Sequence, residues 1–170
     1  RKEIGQDAAE FFKNMAIRNL EGEYHHLLVA PHAMKDRLLK LIDREIEKGD
    51  KGRIFLKVNS VTELELIDRL RDASCAGVRV EMIVRGICCL RPGLPGLSEN
   101  IQVHSLVGRF LEHSRIYGFE NDGKHLVYLS SADWMPRNFD RRIELLFPVE
   151  DPELAAQAMG VLKLQWRDNT

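Results

Sequence analysis

Several things are scarce or missing in this sequence, and each absence excludes a class of protein. Cysteine is sparse, with three residues of which Cys88 and Cys89 are adjacent. An odd set without a secretory segment builds no disulfide framework and points to a reducing compartment. The cytoplasm is the expectation, whether free or peripheral to the membrane. No apolar run approaches the roughly 20 residues of a spanning helix. The amino terminus, Arg-Lys-Glu-Ile-Gly, has neither a hydrophobic signal core nor an initiator methionine. A soluble piece of something longer is therefore expected. Charge of one sign is also lacking: the formal net charge is −1, so no global field steers the chain toward nucleic acid, and any anion site must be local. There is no aromatic-basic stripe for single strands, no Walker loop or dinucleotide fingerprint, and no internal repeat, low-complexity tract or linker.

What is present suits a single domain over 1–170, since 170 residues bury a real core. Residues 7–19 read as a helix with Asp7 as N-cap and Phe11, Phe12, Met15 and Ala16 on its apolar face. A strand over 25–30 is stopped by Pro31, and a helix over 33–48 carries the stripe Met34, Leu38, Leu41, Ile42 and Ile46 before Gly49. Arg53–Val58 alternates Ile54, Leu56 and Val58 inward as a strand, with a turn at Asn59-Ser60. Thr62 and Glu65 form a capping-box pattern for a helix over 63–76, closed by Gly77, and a strand follows over 78–84. Strand, helix, strand, helix, strand with short connections predicts a parallel α/β sheet, whose ligands sit beyond the carboxyl ends of strands. After a Pro/Gly loop, strands over 101–107, 113–119, 125–130 and 142–149 make the second half more antiparallel, with a hairpin at Asn121-Asp122-Gly123. Asp151-Pro152 opens a last helix with Leu154, Ala158, Val161, Leu162 and Trp166 as its apolar side.

With no net charge to attract anions, the grouping of Arg85, Arg91, Arg109, Arg115, Arg137, Arg141 and Arg142 is the informative feature. His113 is the sharpest candidate: Arg115 stands at i+2 on the same face of an extended segment. Neutral imidazole can attack phosphorus or pass a proton, and the arginines can neutralise phosphoryl oxygens. The competing account is a core histidine bonded to backbone. Arg85 ends an apolar strand and Gly86 permits close backbone approach, which suits a phosphate; an ion pair at the sheet edge is the alternative. Alternation sends one of Arg141 and Arg142 toward the site and the other to solvent. Ser130-Ser131-Ala132-Asp133-Trp134 either presents hydroxyls to phosphate or caps a turn. His25, His26 and His32 lack a partner at zinc spacing, so no metal ligand is assigned, and Cys88–Cys89 lacks a redox spacer.

Three segments carry a closer likeness: Ile83 through Ile101, Gly108 through Ile116, and Ser130 through Glu144. With Tyr24–Pro31 and Ile54–Ser60, they resemble the carboxyl-terminal catalytic domain of bacterial polyphosphate kinase of the long, multidomain kind. The resemblance implies an α/β, phospholipase-D-like layered fold, with a mixed, largely parallel sheet flanked by helices. It implies reversible transfer of the terminal phosphate of ATP to polyphosphate, with Mg2+, through a phosphohistidine in the preceding catalytic domain. It matches His113 to the family's second histidine and Arg85 to a phosphate-binding arginine, and it places another at Arg141 or Arg142. The implied partners are the upstream catalytic domain, ATP and polyphosphate, with no nucleic acid, no transmembrane segment, and a homo-oligomer at full length. The isolated piece is then expected to be inactive. His113-Ser-Arg115 with Ser130-Ser-Ala-Asp133 loosely fills one phospholipase D motif, but arginine stands for its lysine and aspartate for its asparagine. Two rivals are a phosphodiesterase half-site and a non-catalytic polyanion-binding module.

Overall fold

The computed structural model describes residues 2–19, 21–31 and 33–168. In chain order the elements are α1 (Lys2–Ala16), β1 (Leu28–Ala30), α2 (Met34–Ile46), a 3₁₀ turn (Gly49–Lys51), β2 (Arg53–Val58), α3 (Leu64–Cys75), β3 (Arg79–Val84), β4 (Ile101–His104), β5 (Ile116–Phe119), β6 (Leu126–Ser130), α4 (Pro136–Asp140), β7 (Glu144–Pro148) and α5 (Pro152–Trp166). The apolar residues of β2 and β3 put these strands inside a mixed seven-stranded sheet of order β1-β7-β6-β5-β2-β3-β4. β2, β3 and β4 pair in parallel, and every other neighbouring pair is antiparallel. β1, β2, β3, β4 and β6 consequently run one way, and β5 and β7 the other. The predicted largely parallel sense holds for strand direction, while the pairing is mostly antiparallel.

Both faces of the sheet are covered, for reasons visible in the side chains. Met34, Leu38, Leu41 and Ile42 of α2 and Leu66, Ile67 and Leu70 of α3 bury against Ile54, Leu56, Val80, Met82 and Tyr117. Burial of each large aliphatic side chain contributes about 1.5–3 kcal/mol against chain entropy. On the opposite face, Leu162 and Met159 of α5 meet Phe55, Ile83, Ile116 and Val127. That helix comes close at Gly118, where a Cβ would stand 3.0 Å from the Met159 sulfur. The expected Asp151 cap is formed: its carboxylate accepts from the amides of Glu153 and Leu154. Gly77, at φ +94°, follows α3 as predicted.

Other local expectations give way to tertiary structure. Asp7 does not cap a helix: α1 starts earlier, and the buried Asp7 carboxylate accepts from the amides of His25, His26 and Leu27, pinning α1 to the chain ahead of β1. Phe11 is buried, but Phe12 and Met15 are exposed. The Thr62–Glu65 capping box is not formed, because Glu65 pairs with Lys35 at 3.1 Å and the Trp134 carbonyl accepts from the amides of Thr62 and Glu63. β1 lies at the sheet's far edge against β7, not beside β2. On α5, Leu162 is buried whereas Leu154 and Val161 stay exposed. The short α4 was not anticipated.

Candidate functional site

Strand direction gathers the candidates at one edge. Lys57 registers with Ile83 and Ile116, Ile83 with His104, Ile116 with Leu129, Ser130 with Leu146, and Ala30 with Glu144. The carboxyl ends of β2, β3, β4 and β6 therefore open beside the amino ends of β5 and β7. Arg85 directly follows β3. Its amide donates to the Val58 carbonyl at 3.3 Å, and the Gly86 amide donates to the Asn59 carbonyl at 2.7 Å, lacing the two loops together. A Cβ on Gly86 would lie 3.0 Å from that Asn59 oxygen. The half-buried Arg85 side chain keeps a buried Nε with no hydrogen-bond partner among the described residues.

Arg115 and Asp133 form the ordered centre. Arg115 donates through Nε to Asp133 Oδ1 at 3.0 Å and through Nη2 to Oδ2 at 2.9 Å, and the Asn59 amide donates to Oδ1 at 2.7 Å. The side chains are 12% and 13% exposed, so this is a two-point pair largely out of water. Burial pushes the Asp133 carboxyl up, but the Arg115 guanidinium and the Asn59 amide outweigh it and hold it below the usual carboxylate range. His113 is exposed, and Arg115 Nη1 donates to its Nδ1 at 3.3 Å. An imidazole that accepts at Nδ1 in its neutral form carries its proton on Nε2. The predicted neighbourhood of His113 and Arg115 is thus observed, although both residues precede β5.

A further cation lies beneath them. Lys57 on β2 is completely buried. Its Nζ donates to the Ser114 carbonyl at 2.9 Å and stands 3.4 Å from Glu112 Oε1. The same Glu112 oxygen accepts from the Ser114 hydroxyl at 2.6 Å and from the Ser114 amide at 3.2 Å. The Ser114 hydroxyl bond, helped by Lys57, holds the Glu112 carboxyl low against the opposing effect of burial. Burial pushes the Lys57 ammonium down, opposed by Glu112 and reinforced by the charges of Arg115 and Arg85. Lys57 therefore sits in the field of both arginines and links them spatially. Sequence reasoning missed it. The available signal was a lysine in a central strand that a two-faced sheet leaves nowhere to solvate.

The remaining candidates divide. Ser130 Oγ donates to the Leu145 carbonyl, and Ser131 Oγ bonds Glu144, so these hydroxyls serve the turn. Exposed Arg142 lies 4.0 Å from Glu144 Oε1, with exposed Arg141 beside it, on the β7 side of the edge opposite Arg85. His26 Nδ1 lies 2.9 Å from Glu150 Oε1, far from this edge, and His32 is outside the described residues. Cys88 is half-buried, its thiol pushed up by burial, and Cys89 is exposed. A cavity of about 870 Å³ lies under α5 among Phe55, Ile83, Val127, Met159 and Trp166. It faces away from the cationic edge.

Comparison with known proteins gives the family and the fold. Residues 27–170 match the family described as Polyphosphate kinase C-terminal domain 2. The polyphosphate kinase of Staphylococcus saprophyticus is 51% identical over 170 residues, covering 98% of this chain and 24% of the relative. The crystal structure of polyphosphate kinase from Porphyromonas gingivalis superposes with a TM-score of 0.93 at 43% identity, over 99% of this chain and 26% of that one. The chain thus spans about a quarter of the length of these relatives. Nuc from Salmonella typhimurium, a phospholipase D family member, shares the fold alone, with a TM-score of 0.59 and 17% identity over 82% of this chain and 93% of its own. The chain belongs to the polyphosphate kinase family, as its second carboxyl-terminal domain.

Proposed function

We propose that residues 1–170 act as one domain of a longer polyphosphate kinase and form one wall of the site that reversibly moves the terminal phosphate of ATP onto polyphosphate. The observation that carries this reading is the meeting of Arg85, with its unpartnered buried Nε, and His113 at the same open sheet edge. A phosphate arriving there would meet the half-buried Arg85 guanidinium at the end of β3. Guanidinium groups held in place before the substrate arrives stabilise the equatorial charge of a transferring phosphoryl group without reorganising.

His113 takes the acid or charge-stabilising role. With Nδ1 engaged by Arg115, its Nε2–H is the group offered to a phosphoryl or leaving oxygen. That group is a hydrogen-bond donor able to stabilise charge on the oxygen, and the phosphorylated histidine is assigned, on the family resemblance, to an upstream domain. Arg141 or Arg142 supplies further positive charge from the β7 side. Magnesium is the metal this family reading implies, but the groups at this edge do not fit it. Asp133 is taken by Arg115, Glu112 by Lys57 and Ser114, and Glu144 by Asn138 and Ser131. No step is derived through a metal here.

A phosphodiesterase reading has the fold of Nuc in its favour. It would need Arg115, in the place of the motif lysine, free to bind phosphate, and that guanidinium is already held at two points by Asp133. The experiment is transfer of label from γ-labelled ATP to polyphosphate by the full-length chain and by residues 1–170 alone. Transfer by the full-length chain only is the expected result. Turnover by the isolated piece, or hydrolysis of a nitrophenyl phosphodiester by it, overturns the reading.

A further inference from the structure

We infer that Lys57 is a positioning residue for phosphoryl transfer, clamping the two residues that flank His113. The inference rests on the reading of this edge as a phosphoryl-transfer site. The Lys57 Nζ reaches the Ser114 carbonyl at 2.9 Å and the Glu112 carboxylate at 3.4 Å, one on each side of the histidine. The clamp closes on itself, because the Ser114 hydroxyl and amide both donate to the Glu112 oxygen that faces Lys57.

This segment needs such a device. Strand β5 begins at Ile116, so residues 112–115 lie ahead of its ladder. The nearest backbone tie is the Ser130 amide donating to the Arg115 carbonyl at 3.1 Å. The ammonium is the side-chain tie from β2 to the backbone on the carboxyl side of His113, and it works beside Arg115, whose Nη1 donates to the His113 carbonyl at 3.3 Å. The fold itself has no use for a charge at this place: a buried ammonium is costly to desolvate, and an apolar chain of the same length would fill the space on β2. Lys57 is completely buried, so it does not touch substrate. Its effect passes through the backbone of residues 112–114 to the imidazole, where displacement by even an ångström is enough to slow a positioned reaction strongly.

The test uses the full-length enzyme with Lys57→Met, Glu112→Gln and the double variant. Lys57→Met keeps the stem and removes the ammonium. It is expected to lower kcat for polyphosphate synthesis at least about tenfold, within the roughly 10²-fold that misplacement by an ångström costs. KM for ATP should stay within about twofold, because uniform binding is untouched. The urea unfolding midpoint should fall by no more than the loss of one hydrogen bond costs, since Glu112 is 35% exposed and keeps its two Ser114 bonds. Glu112→Gln should lower kcat in the same direction, and the double variant should lose no more than Lys57→Met, as parts of one unit do. If Lys57→Met retains kcat within twofold while His113→Ala abolishes synthesis, Lys57 has no positioning role and the site reading survives. If kcat falls only in step with lost folded protein, the role is structural and the inference is wrong. Should His113→Ala leave synthesis intact, the site reading fails and the inference falls with it.

Discussion

Replacing Asp133 by Asn probes the Arg115 pair that orders this edge. The carboxylate accepts two Arg115 bonds, at 3.0 and 2.9 Å, and one from the Asn59 amide at 2.7 Å. Asparagine keeps one oxygen acceptor and the shape but leaves the guanidinium, 12% exposed, without its counter-charge. Breaking a buried pair from one side costs about 3–5 kcal/mol; with one acceptor retained, the expected loss is about 3 kcal/mol. For a chain of this size each kcal/mol moves the melting temperature by roughly 2–4 °C. A fall of roughly 6–12 °C at pH 7 should therefore appear in a thermal melt followed by circular dichroism. The pH dependence is a second readout. The folded Asp133 carboxyl lies below its ordinary value of 3.8, so its contribution is fully present above that value and is lost as pH falls through the folded one. The gap between wild type and Asp133→Asn should accordingly be constant near neutrality and narrow below about pH 4. An unchanged melting temperature at pH 7, or a gap that widens in acid, refutes the reasoning.

Asp7→Ala should cost about 2 kcal/mol by stranding the amides of His25, His26 and Leu27. Hydrogen exchange at those amides should accelerate selectively, with the β2 amides unaffected. Burial raises the Asp7 carboxyl, but the three amides win and hold it low, so this variant too should differ least from wild type in acid. Gly86→Ala places a Cβ 3.0 Å from the Asn59 carbonyl and 3.4 Å from the Ser60 hydroxyl. The two loops must part slightly, for a loss of about 1 kcal/mol in urea unfolding, together with weaker binding of tripolyphosphate by calorimetry.

Legibility in the sequence followed the range of the interactions. β2 and β3 were readable because a short apolar run is a local signal and both strands are largely buried, and Asp151 was readable because its cap spans three residues. Asp7 looked like a cap for the same local reason, yet its partners stand 18 to 20 positions away, where composition gives no hint. Glu65 had the spacing of a capping box but found Lys35 on α2. The place of β1 across the sheet depends on β7, far along the chain. At the site, His113 and Arg115 were legible as neighbours in sequence. The Arg115–Asp133 pair joins two strand ends, and Lys57 acquires its meaning only when the loop of Glu112 and Ser114 closes over it. The Ser130–Ser131 hydroxyls showed the opposite: both accounts were open from the residues, and the turn took them.

The most direct measurement of the central claim is the rate of label transfer from γ-labelled ATP to polyphosphate by full-length enzyme carrying Arg85→Ala or His113→Ala. Loss of one preorganised hydrogen-bond donor to the reacting phosphoryl group costs about 10²–10³-fold. Both variants should fall in that range while melting like wild type. Transfer at the wild-type rate by either variant contradicts the assignment of this sheet edge as a wall of the phosphoryl-transfer site.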